Sequence, residues 1–230
     1  MKNQNMSSTA LERGLCIALF ALASGAALAK QAPRNLSCEQ QDESAEPAAM
    51  KLAPSGARRI DKHVLEVASR KATRQFVDKP PHDEGGMSGV HWRYCGFDLK
   101  AKAHLIEMTD NGLFSGDLFF EESGVLLRAG QTVVFAQNQK DFLAIEQEDG
   151  VDGAHWSVYD SNGKILWKGY AGTIQKIEGI DSVISTFERP QWNRKGTLTA
   201  RFVCTASPVS GVVTLLPSSN GWSWHGHTKC

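Results

Sequence analysis

His155-Trp156-Ser157-Val158-Tyr159-Asp160-Ser161-Asn162-Gly163-Lys164-Ile165-Leu166-Trp167-Lys168-Gly169-Tyr170 reads as two short apolar runs around a turn. Successive side chains of a strand point to opposite faces. Trp156 and Val158 therefore share one face, with Tyr159 on the other. After the turn, Ile165 and Trp167 lie opposite Leu166 and Tyr170. Apolar residues on both faces predict a sheet covered on both sides, or one covered face and one binding face.

The same pattern recurs on either side. Before it come Val90 to Cys95, Ala103 to Met108, Asp117 to Glu121, Val125 to Arg128, Thr132 to Ala136 and Phe142 to Glu146. After it come Val183 to Phe187, Leu198 to Cys204 and Val212 to Leu216. Turn formers separate the runs: Asp110-Asn111-Gly112, Glu122-Ser123-Gly124, Asp149-Gly150 and Arg194-Lys195-Gly196. Short strands with frequent turn signals predict a mainly β fold, an antiparallel meander closed as a sandwich or barrel. Strands do not alternate with long helices, which argues against a doubly wound α/β fold.

A shift of 39 residues superimposes several positions: Ile106-Glu107 on Ile145-Glu146, Phe120 on Tyr159, Gly124 on Gly163, and Leu126-Leu127 on Ile165-Leu166. This is the length of a propeller blade, but only two units are clear, and a closed propeller needs at least about four. The pattern predicts a two-fold repeat within a meander, or hairpins of equal length whose turns require glycine.

Upstream, residues 57–77 read as one N-terminal helix. Ile60, Val64, Val67, Ala68 and Phe76 fall near one face, Asp61 sits in the first turn, and Pro80-Pro81 follows. Residues 30–56 are rich in charge and poor in large apolar side chains, the composition of a flexible leader. Residues 57–230 are then a single mainly β domain.

The first 29 residues have the layout of a secretory signal peptide. Lys2 and Arg13 precede the apolar run Leu15 to Leu22, and Ala27-Leu28-Ala29 precedes Lys30. The apolar core of about 14 residues is shorter than a membrane span. Cys16 precedes the run, which is not the place of a lipid-modified cysteine. Cleavage after Ala29 leaves 201 residues with 23 basic and 24 acidic side chains. Such a balance projects no long-range field, and no basic face is evident to neutralise phosphates. Nucleic acid is therefore not an expected partner, and no later run is long enough to span a membrane. The expected location is the periplasm or the exterior.

Cys38, Cys95, Cys204 and Cys230 remain after cleavage. An even number in an exported chain predicts two disulfides, with three possible connectivities. No C-x-x-C pair is present to start a zinc site.

No stretch supplies a complete catalytic set. The sequence has no G-x-S-x-G elbow, no H-E-x-x-H helix and no P-loop, and nothing implies a cofactor. His82-Asp83-Glu84 and His91 could serve as acid and base, but no nucleophile accompanies them. Carboxylate pairs for glycoside cleavage come from distant strands and leave no local signature. Asp149 and Asp152, in an acid-rich loop, are weak calcium candidates. His225 and His227 place two imidazoles on one face of a strand, too few for a metal by themselves. Six tryptophans are the more telling feature. Trp156, Trp167, Tyr170, Trp222 and Trp224 are the candidate binding residues, since aromatic rings on a sheet serve as protein hot spots or sugar platforms.

These readings favour an exported binding protein without catalysis, its partner another protein, as for an immunity protein or an inhibitor of a cell-wall enzyme. The alternatives are a periplasmic hydrolase of glycan or peptide and a carbohydrate-binding module.

Overall fold

Apolar residues in this chain alternate with a period of two over most of its length, and the computed structural model shows how that pattern is buried. It describes residues 34–38, 43–54, 56–82, 88–138, 141–147, 154–160, 162–219, 221–226 and 229–230. The signal segment lies outside these residues.

Strand β1 (Arg34–Ser37) comes first, followed by a single 3-10 turn at Glu43–Ala45 and the short helix α1 (Glu46–Lys51). Four antiparallel meanders follow. The first holds β2 (Ala57–Asp61), β3 (Val64–Ala68) and β4 (Thr73–Val77). The second holds β5 (Val90–Asp98), β6 (Ala103–Asp110), β7 (Leu113–Phe120) and β8 (Leu126–Arg128). The third holds β9 (Thr132–Phe135), β10 (Asp141–Glu146), β11 (His155–Asp160) and β12 (Ile165–Tyr170), and β1 pairs onto β9 at its edge. The last holds β13 (Gly172–Ile177), β14 (Ile180–Trp192), β15 (Leu198–Cys204), β16 (Ser210–Ser218) and β17 (Gly221–Gly226).

The sheets pack in chain order, with a core between each successive pair. Leu65, Val67 and Phe76 of the first sheet meet Tyr94, Ile106 and Phe119 of the second. Leu105 and Leu118, from the opposite face of that second sheet, meet Val133, Phe135, Phe142 and Ala144 of the third. Val134, Leu143, Trp156 and Val158 then turn away from that core and meet Phe187, Leu198, Phe202, Val213 and Leu215 of the fourth. The inner sheets are thus covered on both faces, so their strands carry apolar residues at both parities. This is a mainly β, antiparallel, layered sandwich, as the strand pattern predicts. The 39-residue shift carries β6, β7 and β8 onto β10, β11 and β12, the matching strands of the next meander. Gly124 and Gly163 close the equivalent hairpins with φ of 70° and 80°, a conformation that disfavours any side chain.

Two expectations are corrected. Residues 57–77 form three strands, β2, β3 and β4, and no helix. Leu65, Val67 and Phe76 point inward with period two, whereas Ile60, which the helical reading buried, is half exposed. The turns escaped notice because they use side-chain oxygens instead of glycine. Asp61 Oδ1 accepts from the His63 N–H (2.7 Å), and Ser69 Oγ accepts from the N–H groups of Lys71 (3.2 Å) and Ala72 (2.9 Å). The second correction concerns residues 30–56, read as a leader, which contribute β1 and α1. Glu46 ties α1 down: its carboxylate accepts from Arg59 Nε (3.1 Å) and Nη2 (3.0 Å) and from the backbone N–H of Tyr94 (2.7 Å).

Both disulfides are present, joining Cys38 to Cys95 and Cys204 to Cys230. The first bonds the end of β1, which belongs to the third sheet, to β5 of the second. The second fastens the C-terminal residue to the last sheet. Two disulfides favour an oxidising compartment outside the cytoplasm. Among the described residues, no helix is long and apolar enough to cross a membrane.

Candidate functional site

The fold gathers the predicted aromatic residues, but into a seam between sheets. Trp156 is only 2% exposed and offers no surface to a partner, which corrects its reading as a binding residue. Its ring lies 5.9 Å from that of Trp224, which is 4.9 Å from Phe187 and 5.8 Å from Trp167. Trp167, Trp222 and Trp224 are partly buried against the same core. Tyr170 meets the His155 ring edge-on at 5.9 Å. Trp192, absent from the predicted set, donates from Nε1 to the Val134 carbonyl (2.9 Å) and so binds the fourth sheet to the third. All the tryptophans but Trp92, which packs on Phe76 between the first two sheets, close the last interface of the stack.

The open surface lies on the other side of that last sheet. Pairing sets Glu188 beside Arg201 and Arg201 beside Val212, one residue from each of three neighbouring strands. All three are exposed, whereas Phe187, Phe202 and Val213 beside them are buried. The alternation puts Ile174, Val183, Thr186, Thr199, Val203, Val212, Thr214 and Leu216 on this outer face as well. Val212 is 67% exposed and Ile174 46%. The opposite end of the stack differs. On the outer face of the first sheet, Glu66 accepts from Arg58 Nη2 (2.7 Å) and from Gln75 Nε2 (3.1 Å), a polar row across all three strands. The donors Gln75 and then Arg58 hold the Glu66 carboxyl below its ordinary pKa. Ile60 and Val77 are the exposed apolar residues at that end.

Of the four weak metal candidates, Asp149, Asp152 and His227 lie outside the described residues. His225 is exposed, and its Nε2 is 3.0 Å from Ser223 Oγ. Cys38, Cys95 and Glu107 do converge, but the sulfurs are bonded to each other, and Arg93 grips the Glu107 carboxylate at 2.8 Å through Nε. That grouping is a buttress under β1, with Arg93 Nη2 also donating to the Cys38 carbonyl (2.9 Å).

The two histidines read as acid–base candidates do come together, with a third that the sequence reading had absorbed into a helix. His63 ends the turn between β2 and β3. The Asp78 N–H donates to the His63 carbonyl (2.9 Å), which fixes these two residues side by side. Lys79 and Val90 exchange two backbone hydrogen bonds (2.8 and 3.0 Å), so the chain after β4 runs against the start of β5. Gly89 makes this approach possible: a Cβ there would lie 2.3 Å from the Lys79 carbonyl oxygen and 2.6 Å from that of Pro81. The His82 ring consequently stacks on His63 with centroids 3.9 Å apart, and lies 6.4 Å from His91. Asp83 and Glu84 lie outside the described residues.

No known protein family, characterised relative or solved structure matches this chain.

A cavity of about 310 Å³ opens between the second and third sheets, lined by Lys100, Lys102, Phe120, Glu122, Asp141 and Phe142 among others. That is the lower limit for ligand pockets. Two lysines offset two carboxylates there, and no histidine reaches it. The fully buried His104 is also unavailable for surface chemistry: burial drives its pKa down to about 4, and its Nδ1 lies 3.0 Å from the Tyr94 hydroxyl. The same burial raises the pKa of Tyr94. Both belong to the core between the first two sheets.

Proposed function

We propose that this chain is an exported binding protein that does no chemistry of its own and docks a second protein on the outer face of its last sheet. One contrast carries this reading. The first sheet ends the stack with the Arg58–Glu66–Gln75 row, as a capping layer does. The last sheet ends it with Ile174, Val183, Val203, Val212 and Leu216 interspersed with threonines and the Glu188–Arg201 pair. A sheet face of apolar and hydrogen-bonding side chains has the composition of a protein interface. The partner it fits is a folded exported protein whose own surface is apolar with a polar rim. An immunity protein or an inhibitor of a cell-wall enzyme works in this way. The carbohydrate reading loses support because the tryptophans lie in the seam. The hydrolase reading has less support because the cavity beside Lys100 and Phe142 holds no histidine among its described lining residues.

The test uses the mature chain from Lys30 as bait for envelope and secreted proteins. The expected result is one stoichiometric partner, lost from the double variant I174E/V212E and retained by E66A. Capture that ignores I174E/V212E, or no partner at all, would contradict the proposal.

A further inference from the structure

The cavity between the second and third sheets takes no part in the proposed docking face, and its lining suits a separate function. We infer that it binds a free α-amino acid with a large apolar side chain. Three segments build its rim. Lys100 and Lys102 belong to the turn between β5 and β6, Glu122 to the turn between β7 and β8, and Asp141 opens β10. Asp98 Oδ1 accepts from the N–H groups of Lys100 (2.9 Å) and Ala101 (2.6 Å), and the Lys102 carbonyl accepts from the Glu121 N–H (2.7 Å). The two lysines and Glu122 are thereby held on adjoining turns. Lys102 keeps this place at φ of 53°, a conformation that suits glycine or asparagine better than lysine.

The floor is aromatic. Phe142 and Phe135 are 2% and 5% exposed, and Phe120 is half-buried beside them. Phe142 stacks on Tyr159 with centroids 4.9 Å apart, which fixes its ring. The Phe120 and Phe135 rings each lie 6.1 Å from it, tilted by 52° and 50°. Rings set at such angles form a cup for an aliphatic or aromatic side chain, whereas a sugar stacks on one flat ring face. The charges select the rest of the ligand. Two ammonium groups and two carboxylates line a volume of about 310 Å³. A simple anion would satisfy the lysines but approach Glu122 and Asp141, and a simple cation would do the reverse. Like charges brought together in this way count against binding. A zwitterion meets both signs at once: its carboxylate accepts from Lys100 and Lys102, and its ammonium donates to Glu122 on the neighbouring turn. The volume lies at the bottom of the range for ligand pockets, which fits a single amino acid.

The experiment is titration of the isotope-labelled, disulfide-bonded mature chain with phenylalanine and with leucine, followed by amide NMR. Saturable shifts are expected at Lys100, Lys102, Glu122 and Phe142, with Kd between about 10 μM and 1 mM for a ligand of so few atoms. Phenethylamine lacks the carboxylate and N-acetylphenylalanine the ammonium, and each should bind at least about 10-fold more weakly. K100A/K102G removes both lysine charges and gives position 102 the residue its backbone favours, so the fold should persist while binding falls about 10-fold or more. E122Q should weaken binding by a similar factor, and E66A should leave it unchanged. Thermal unfolding of each variant shows whether it is folded. If K100A/K102G fails to fold, the comparison of ligands on the unaltered chain decides. No saturable shift at about 10 mM phenylalanine or leucine, equal binding of phenethylamine or N-acetylphenylalanine, or binding that survives K100A/K102G would overturn the site. Glucose shifting the same amides more strongly than phenylalanine would also overturn it. None of these outcomes depends on a captured protein partner.

Discussion

His104 sits fully buried on β6, on the face packed toward the first sheet, with Phe97, Tyr94 and Phe119 around its ring. Its pKa is about 4 in the fold against an ordinary 6.5, because burial penalises the charged form. Below pH 6.5 the unfolded chain takes up a proton that the native state refuses. Stability is therefore complete above pH 6.5 and declines as the pH falls toward 4, by about 3 kcal/mol at most. Urea titrations at pH 7 and pH 4.5 should show this loss for the native protein and a smaller one for H104Q. Equal losses in the two proteins would mean that other groups set the acid sensitivity. A second residue-scale contrast compares two glutamates. E46A leaves Arg59 with only the Trp92 carbonyl and the Tyr94 N–H without its acceptor, and should cost about 2 kcal/mol. Glu66 is about as covered as Glu46, but its partners Arg58 and Gln75 are exposed, so E66A should lower the denaturation midpoint by less than E46A does.

At the scale of elements, the strands from β5 to β12 and β14 to β16 were legible because β-branched and aromatic residues alternate there, and glycine marks many of the turns, as at Asn111-Gly112, Ser123-Gly124, Asn162-Gly163 and Lys195-Gly196. The first meander was not. Its turns at Asp61–His63 and Ser69–Ala72 contain no glycine or proline, and Ile60, Val64, Val67 and Ala68 happen to share helical spacing. β13 left no signal because most of Gly172–Ile177 is exposed on the edge strand of its sheet. Residues 34–51 read as disordered because their apolar content is low. Within them β1 and α1 are held by the Cys38–Cys95 bond, the Glu46–Arg59 pair and the four residue pairs between β1 and β9. The candidate sites were half legible. Trp222 and Trp224 were visible as aromatic residues, but which face of β17 they occupy depends on the register with β16. The histidine corner joins three segments, and only strand pairing shows that His63 belongs to it. If β1 and α1 are held mainly by the first disulfide, C38S/C95S should raise amide exchange over 34–51 while leaving β14 to β16 protected. Uniform loss of protection would show that the bond supports the whole stack.

For the whole molecule, the two disulfides close loops of 57 and 26 residues. In the chain-entropy account these contribute about 4 and 3.5 kcal/mol by restricting the unfolded chain. Intact mass should rise by about four hydrogens on reduction, and unfolding should move to lower denaturant. A layered stack needs a finished surface at each end. Here one end carries a salt-bridged polar row with Ile60 and Val77 beside it, and the other carries a larger set of valine, isoleucine, leucine and threonine on its outer face. That asymmetry is the basis of the proposed binding function. The most direct measurement is amide hydrogen exchange of the chain with and without its captured partner. Protection confined to β13–β17, strongest over Ser210–Ser218, is the predicted footprint. Protection over β2–β4 or around the cavity at Lys100 and Phe142, with β16 unchanged, would contradict it.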